Sequence, residues 1–533
     1  MIDKKISNFT KVFILIFLFA LIIKILEATV AIPVIKAAYN GDSFDYLNDL
    51  LQKHKLRNPT VRNLAFYSNE VSSYVNRFIL LFSGSLFLIF LIVRNNYKKA
   101  KDFFNAPESS FKVDILRIVI FGFLLYINFP NTINDLLSNP NTSTFSIPGW
   151  SKGLIDLILT NPIPQLLGIA FTVFCFGALI GIFTRKMIIG AVITGFFVMG
   201  IPQFFGKINH YHFLWHVILI LSFARPGISL SVDSYLKNKS FKHSEYLRIN
   251  SLAIKFIMII IGLIYFFPGF WKIVFSGSEW IFSENLKFRM HSNWIVRDGW
   301  LPFFRVDHYP FLYQSAAFFT ILIELGFIFA LFFKKIRPYF VLGAFFFHLS
   351  VFFLLNISFV GLMIIYVIFI DWDKILNLSP KNYPKTLKKS SKKLQYVALL
   401  VIGFNILTGF TLINSWPFSV YPTFASVETN STPSILVQEI DNNKNVIKEV
   451  IPLLDENYIN EFVSQTRLSG FILQTLTSKT KKQDGISILK NIYRDSYSSK
   501  IPDSLLKVYE IRLSTNPDLP NRQKILERKL IEN

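Results

Sequence analysis

The chain has 533 residues, of which 52% are hydrophobic, 16% aromatic and 17% charged, and its mean hydropathy is +0.42. A soluble chain of this length would divide into three or four domains, but it could not hide so much apolar surface, so composition points instead to a polytopic membrane protein. The net charge of +22 does not signal nucleic acid, because the basic residues stand mostly in short segments between apolar runs, where they act as topology signals.

Eleven apolar segments follow in chain order, at about 11–32, 73–93, 113–130, 162–183, 187–204, 211–224, 250–271, 311–333, 338–355, 359–371 and 395–414. Most are long enough to cross about 30 Å of hydrocarbon as a helix; those at 211–224 and 359–371 are short. The first follows Lys4 and Lys5 and runs past Lys24 and Glu27 to Ile35, so it reads as an anchor rather than a cleaved signal. With the N-terminus in the cytoplasm, the inside loops hold 25 Lys and Arg and the outside loops between crossings 12. That asymmetry has the sign the positive-inside rule requires. Eleven crossings then place the tail outside.

Four regions are expected. Residues 1–112 form a two-helix membrane extension with an outer loop, and 113–375 a membrane core. Residues 376–414 are a basic cytoplasmic linker with the last transmembrane helix, and 415–533 a small extracytoplasmic α+β domain. In that domain 434–441, 446–452 and 507–514 read as strands, and 456–467, 486–497 and 520–531 as helices. The expected fold class is therefore an all-α polytopic membrane protein with an appended α+β domain. Cys175 is the single cysteine, which excludes a disulfide within the chain and a CxxC redox site.

Ionisable groups at membrane depth need a partner or a task. Lys207, Asn209, His210, His212 and His216 cluster at the outer start of the sixth segment. His212 and His216 share a helix face and suit either two metal ligands or an interfacial anchor; no third ligand is evident, so no metal site is expected. Tyr265, the Pro268-Gly269 pair and Lys272 end the seventh segment, and the pair is expected to kink or stop the helix. The loop 272–310 is expected to hold amphipathic surface helices. Glu324 and His348 lie deep in successive segments and are expected to meet. Arg117 reads as a structural residue.

Several of these residues, in this order, resemble the horizontally transferred transmembrane (HTTM) family, which includes the vitamin K-dependent gamma-carboxylases. The likeness covers about 113–375 and rests on Leu116-Arg117-Ile118 with Gly122, Asn209-His210, Ser231-Val232-Asp233, Tyr265, Gly269, Lys272, Trp280, Glu324-Leu325-Gly326 and His348. In the carboxylases a reduced quinone is deprotonated, its oxygenation generates a strong base, and a substrate Glu gains carbon dioxide at its γ-carbon. The resemblance implies a catalytic group of Lys207, Asn209 and His210, with Tyr265, Lys272, Glu324 and His348 binding the cofactor. It also implies a secreted peptide or protein as partner, at the outer face of a bacterial cytoplasmic membrane. A non-catalytic partner-binding scaffold and, less favoured, a transporter are the alternatives.

Overall fold

The computed structural model describes residues 2–43, 47–48, 51–52, 55–56, 62–138, 147–205, 211–241, 245–295, 300–376, 392–421, 424–462, 465–477, 482–497, 501–520 and 524–532. Among them, eight helices are long and apolar enough to cross a membrane: Thr10–Asn40, Leu64–Leu91, Ile163–Ile180, Thr184–Phe205, Arg248–Ser276, Pro310–Ala330, Arg337–Leu355 and Lys392–Thr411. The expected eleven segments do not all meet that standard. His212–Phe223 and Val360–Phe369 are apolar but short. Ser110–Ile127 has the length but carries Lys112, Asp114 and Arg117.

The chain divides into two compact units. One comprises Ile92–Phe270 and Phe319–Phe424. Its helices end where the backbone demands it: Asn128 and Asn356 take left-handed caps, and Gly181 does the same at the end of Ile163–Ile180. A Cβ at Gly181 would fall 2.4 Å from that of Ser231, so no larger residue fits without displacing the 227–231 turn. The next helix starts at once, its first amides capped from a distance. The Asp233 carboxylate accepts from the Phe183 and Thr184 amides at 3.0 and 2.8 Å.

A fully buried ion pair joins these turns. Arg117 Nε donates to Asp114 at 2.9 Å, while its other nitrogens donate to the carbonyls of Ala178, Leu179 and Leu230 at 2.5–2.7 Å. Asp114 also accepts from the amides of Gly227 and Ser229 at 2.6 and 2.8 Å. The structural reading of Arg117 therefore holds. The Pro268-Gly269 pair does not stop its helix, which continues to Ser276. Most of that helix is buried, so packing holds it through the one amide that Pro268 lacks.

The other unit comprises Met1–Leu91, Trp271–Phe318 and Ala425–Asn533. Its first two long helices meet through polar groups within apolar runs. Glu27 accepts from Lys24 Nζ at 2.5 Å and from Ser72 Oγ at 2.6 Å, and Lys24 also donates to Asn76 at 3.0 Å. The loop region folds into Glu279–Phe282 and Asn285–Ile295, in keeping with the helices expected there.

The tail is α+β, as expected. Strands β1 (Ser431–Ile440), β2 (Val446–Val450), β3 (Leu506–Ser514) and β4 (Ile525–Glu532) form an antiparallel sheet of order β2-β1-β3-β4. Helices Gln465–Thr477 and Lys482–Tyr497 close its core through Leu468, Ile472, Ile486 and Leu489. The helix expected at 520–531 is instead β4. Its Glu, Arg, Lys and Leu favour a helix locally, but pairing with β3 sets Glu527 opposite Arg512 and Lys529 opposite Glu510. Cross-strand charge complementarity and the β3 edge override propensity here.

Replacing Arg117 by Ala should leave Asp114 buried and unpaired and cost roughly 3–5 kcal/mol. Lys at that position should recover little, because one ammonium cannot reproduce the planar fork. Apparent Tm in detergent, followed by size-exclusion, measures both. A wild-type Tm in Arg117→Ala would remove the pair from its structural role.

Candidate functional site

Lys207, Asn209 and His210 lie outside the described residues. Of the other expected site residues, Tyr265, Glu324 and His348 come together in the unit built around Arg117, whereas Lys272 belongs to the other unit. Lys272 is buried there, with Nζ 5.1 Å from the centre of the Trp280 ring. That contact unites two residues of the family resemblance by a cation–π interaction.

Helix spacing builds the three-residue group. Tyr265 and Gly269 stand four apart on one face of Arg248–Ser276. Gly269 lets Pro310–Ala330 approach closely: a Cβ there would lie 2.8 Å from the Glu324 Cβ. Phe327, one turn along from Glu324, stacks on the Tyr265 ring with centroids 4.6 Å apart. Glu324 lies near enough to Tyr265 to act on its hydroxyl electrostatically.

The Tyr265 hydroxyl lies 2.6 Å from His348 Nε2 and is also hydrogen-bonded to the Tyr366 hydroxyl. That imidazole nitrogen therefore has a tyrosine hydroxyl from Arg248–Ser276 as a partner. All four side chains are buried, and Phe359 covers the imidazole with ring centroids 4.9 Å apart. Three phenol or imidazole groups in series can hold a proton or pass it along the chain, and a dry surround strengthens each bond. Tyr366 escaped the sequence reading. The signal was there: a lone tyrosine in the apolar run Ile364–Phe369 must find a partner for its hydroxyl. Tyr421 was missed for a different reason. It lies beyond the last long helix, and its ring reaches Phe359 and His212 at 6.4 and 5.9 Å.

The His212/His216 pair does share one helix face, with ring centroids 5.7 Å apart. His216 Nε2 faces the Pro417 carbonyl at 2.9 Å, so it carries the hydrogen, and Nδ1 faces the Asn405 amide nitrogen at 3.4 Å, so it accepts. Both nitrogens of His216 are thus engaged, which leaves no lone pair for a metal.

A third polar group sits in the other unit. Ligand atoms of Asp307, His308 and Asp518 lie within 4.8 Å of one another. A cation is already present: Arg305 donates twice to Asp307 at 2.8–2.9 Å and twice to Asp518 at 2.8–2.9 Å. His291 Nε2 meets Asp307 at 2.9 Å. Burial raises the Asp307 pKa, but the hydrogen bonds from Arg305 and His291 outweigh it and hold it at about 2. Burial also pushes the His291 pKa below its usual range, against the pull of Asp307.

Comparison with family models, with curated proteins and with solved structures yields no match to this chain.

Two outcomes follow from these clusters. Tyr265→Phe should cost about 1–3 kcal/mol, since His348 and Tyr366 each lose a buried partner. An unchanged apparent Tm would show that the three groups are not a coupled network. The Asp307 cluster should weaken in acid. A carboxyl depressed to about 2 contributes stability that is complete above its unfolded pKa and is lost as pH falls toward 2. His291, depressed by burial, acts in the same direction below its ordinary range. Apparent Tm measured from pH 7 downward should therefore fall more steeply in the wild type than in Asp307→Asn; equal slopes would exclude Asp307 as the source.

Proposed function

We propose that this chain is a multi-pass HTTM-type membrane protein that matures a secreted peptide or protein by carboxylase-like chemistry at the outer face of the bacterial cytoplasmic membrane. In this reading it crosses eleven times. The eight long apolar helices are joined by Ser110–Ile127, His212–Phe223 and Val360–Phe369, whose charges or shortness are offset by burial among neighbours. The basic residues favour the inside, which puts the N-terminus in the cytoplasm and the C-terminal domain outside.

The observation that carries the reading is the buried group formed by Tyr265, His348, Tyr366 and the adjoining Glu324. Three of its four members belong to the resemblance, and they meet although they lie up to 83 positions apart in sequence. A reduced quinone requires hydrogen-bond donors for a ring oxygen within an aromatic surround. Phenol and imidazole between Phe327 and Phe359 are a donor set of that kind. When bound, such a quinone supplies the oxidisable ring from which a strong base is generated. Tyr265 and His348 would orient that ring and hold a proton at the phenol oxygen or Nε2. Lys207, if neutral in an apolar setting, would act as the base that accepts the first proton.

A second reading, a non-catalytic partner-binding protein, is favoured by one feature of the tail. Val446 and Ile447 are exposed on β2, which among the described residues is an edge strand paired on one side only.

Mass spectrometry of the secreted peptides separates the two. In wild-type cells a peptide should carry the mass of one carbon dioxide on Glu. Lys207→Ala should abolish it with membrane expression intact, and Lys207→Arg should not restore it, since arginine cannot give up its proton at usable pH. The same peptide masses in wild type and both variants would reject the carboxylase reading and favour the scaffold.

A further inference from the structure

A cleft of 840 Å³ opens between the end of Leu64–Asn105 with its following turn, 102–107, and the 332–337 turn that joins two apolar helices. Its walls are apolar where they meet the helices, at Phe103, Phe332 and Phe333. Its rim is cationic, formed by Lys334, Lys335 and Arg337. Both lysines are exposed, and among the described residues neither has a carboxylate partner. Asp102 is the one carboxylate on the lining.

The ground behind the cleft is also short of negative charge. Glu108 is buried and accepts from both Lys112 Nζ, at 2.5 Å, and Lys255 Nζ. Burial opposes its ionisation, but the two ammonium groups outweigh that, so it stays a carboxylate. One carboxylate thus faces two buried ammoniums. Arg337 adds a third cation: it is close enough to act on Lys255 and Glu108, and its guanidinium lies 5.5 Å from the Phe103 ring, which Lys255 also approaches at 5.1 Å. Arg337 Nε is taken by the Leu331 carbonyl at 2.9 Å, which fixes the fork beside the cleft.

Cationic excess in a low-dielectric setting calls for an anion, and a fixed guanidinium flanked by two exposed ammoniums suits the tetrahedral oxygens of a phosphate. The turn joins the ends of Pro310–Ala330 and Arg337–Leu355, where apolar chain stops, which is the level of lipid headgroups if those helices span. We infer that this cleft binds a phosphate-bearing anion, with its oxygens on Lys334, Lys335 and Arg337 and its apolar part along Phe103, Phe332 and Phe333. The source is either a phospholipid headgroup or a soluble phosphate. The site stands apart from the Tyr265 group and does not depend on the chemistry assigned to that group; the lipid source rests on the membrane reading.

The test uses the full chain and the K334Q/K335Q double variant, with K392Q/K393Q, an exposed pair elsewhere, as control. Each is placed in nanodiscs of phosphatidylcholine with or without phosphatidylglycerol, and retained lipid is counted by native mass spectrometry. In parallel, thermal stability in detergent is followed with sodium phosphate against sodium chloride at equal ionic strength. The wild type should retain phosphatidylglycerol over phosphatidylcholine. The 334/335 variant should bind it roughly thirtyfold more weakly, the value for two basic residues against anionic lipid, with unchanged Tm in phosphatidylcholine. A phosphate-specific stabilisation lost in that variant, without lipid retention, would support the same site with a soluble ligand. Equal behaviour of wild type and variant with both probes, or an equal loss in the 392/393 control, would overturn the proposal.

Discussion

Arg117 sits with no access to water in a chain built mostly of hydrocarbon, and its guanidinium must be satisfied wherever the surrounding helices go. Five donors demand several oxygens at once, and they are supplied by Asp114, by the last turn of Ile163–Ile180 and by the 227–231 turn. Asp114 in turn accepts two amides of that same turn. Losing either partner would strand a charge in an apolar interior, so the pair specifies position more than it adds net stability. The local constraints at Gly181, Thr184 and Ser231 follow from it. A Cβ at Gly181 would press on both Ser231 and Arg117, and Asp233 can cap the Thr184 amide because the turn is held in place.

The same rule recurs through the chain with different chemistry. Lys24 and Glu27 neutralise each other within an apolar helix and reach Ser72 and Asn76 on the next. Tyr265, His348 and Tyr366 are hydrogen-bonded to one another. Glu108, Lys112 and Lys255 differ, because two cations share one carboxylate. In the first two cases the polar groups bond to one another, and in the third a positive surplus remains. A closed network stores specificity; a surplus creates a field that a diffusible anion can meet.

Much of this was legible in the sequence, and the limits have physical causes. Apolar run length located the eight long helices, because a span is defined by its own residues. It could not separate a short buried helix such as His212–Phe223 from a crossing, since that depends on neighbours. The strands β1 and β3 were readable from local pattern, but β4 was not: its residues favour a helix, and only the β3 edge, supplied by a distant segment, makes it a strand. At the site, Tyr265, Glu324 and His348 could be singled out individually because polar groups in apolar runs are conspicuous. Their pairing was less visible. A tyrosine hydroxyl 2.6 Å from His348 joins the group, a partner the sequence did not single out for it, since which helices are adjacent is a property of packing.

The position of Gly269 shows how packing and chemistry are linked at that group. Without its hydrogen-only side chain, Pro310–Ala330 could not bring Glu324 to the level of Tyr265, because a Cβ would already lie 2.8 Å from the Glu324 Cβ and 3.2 Å from the Leu325 backbone nitrogen. Moving that helix outward would also withdraw Phe327 from the Tyr265 ring. The phenol would then lose the apolar stack that keeps water from competing for its hydroxyl, and its bonds to His348 and Tyr366 would weaken together. A residue with no polar atom of its own side chain thus governs the polar group more directly than several of the charged residues in the same unit.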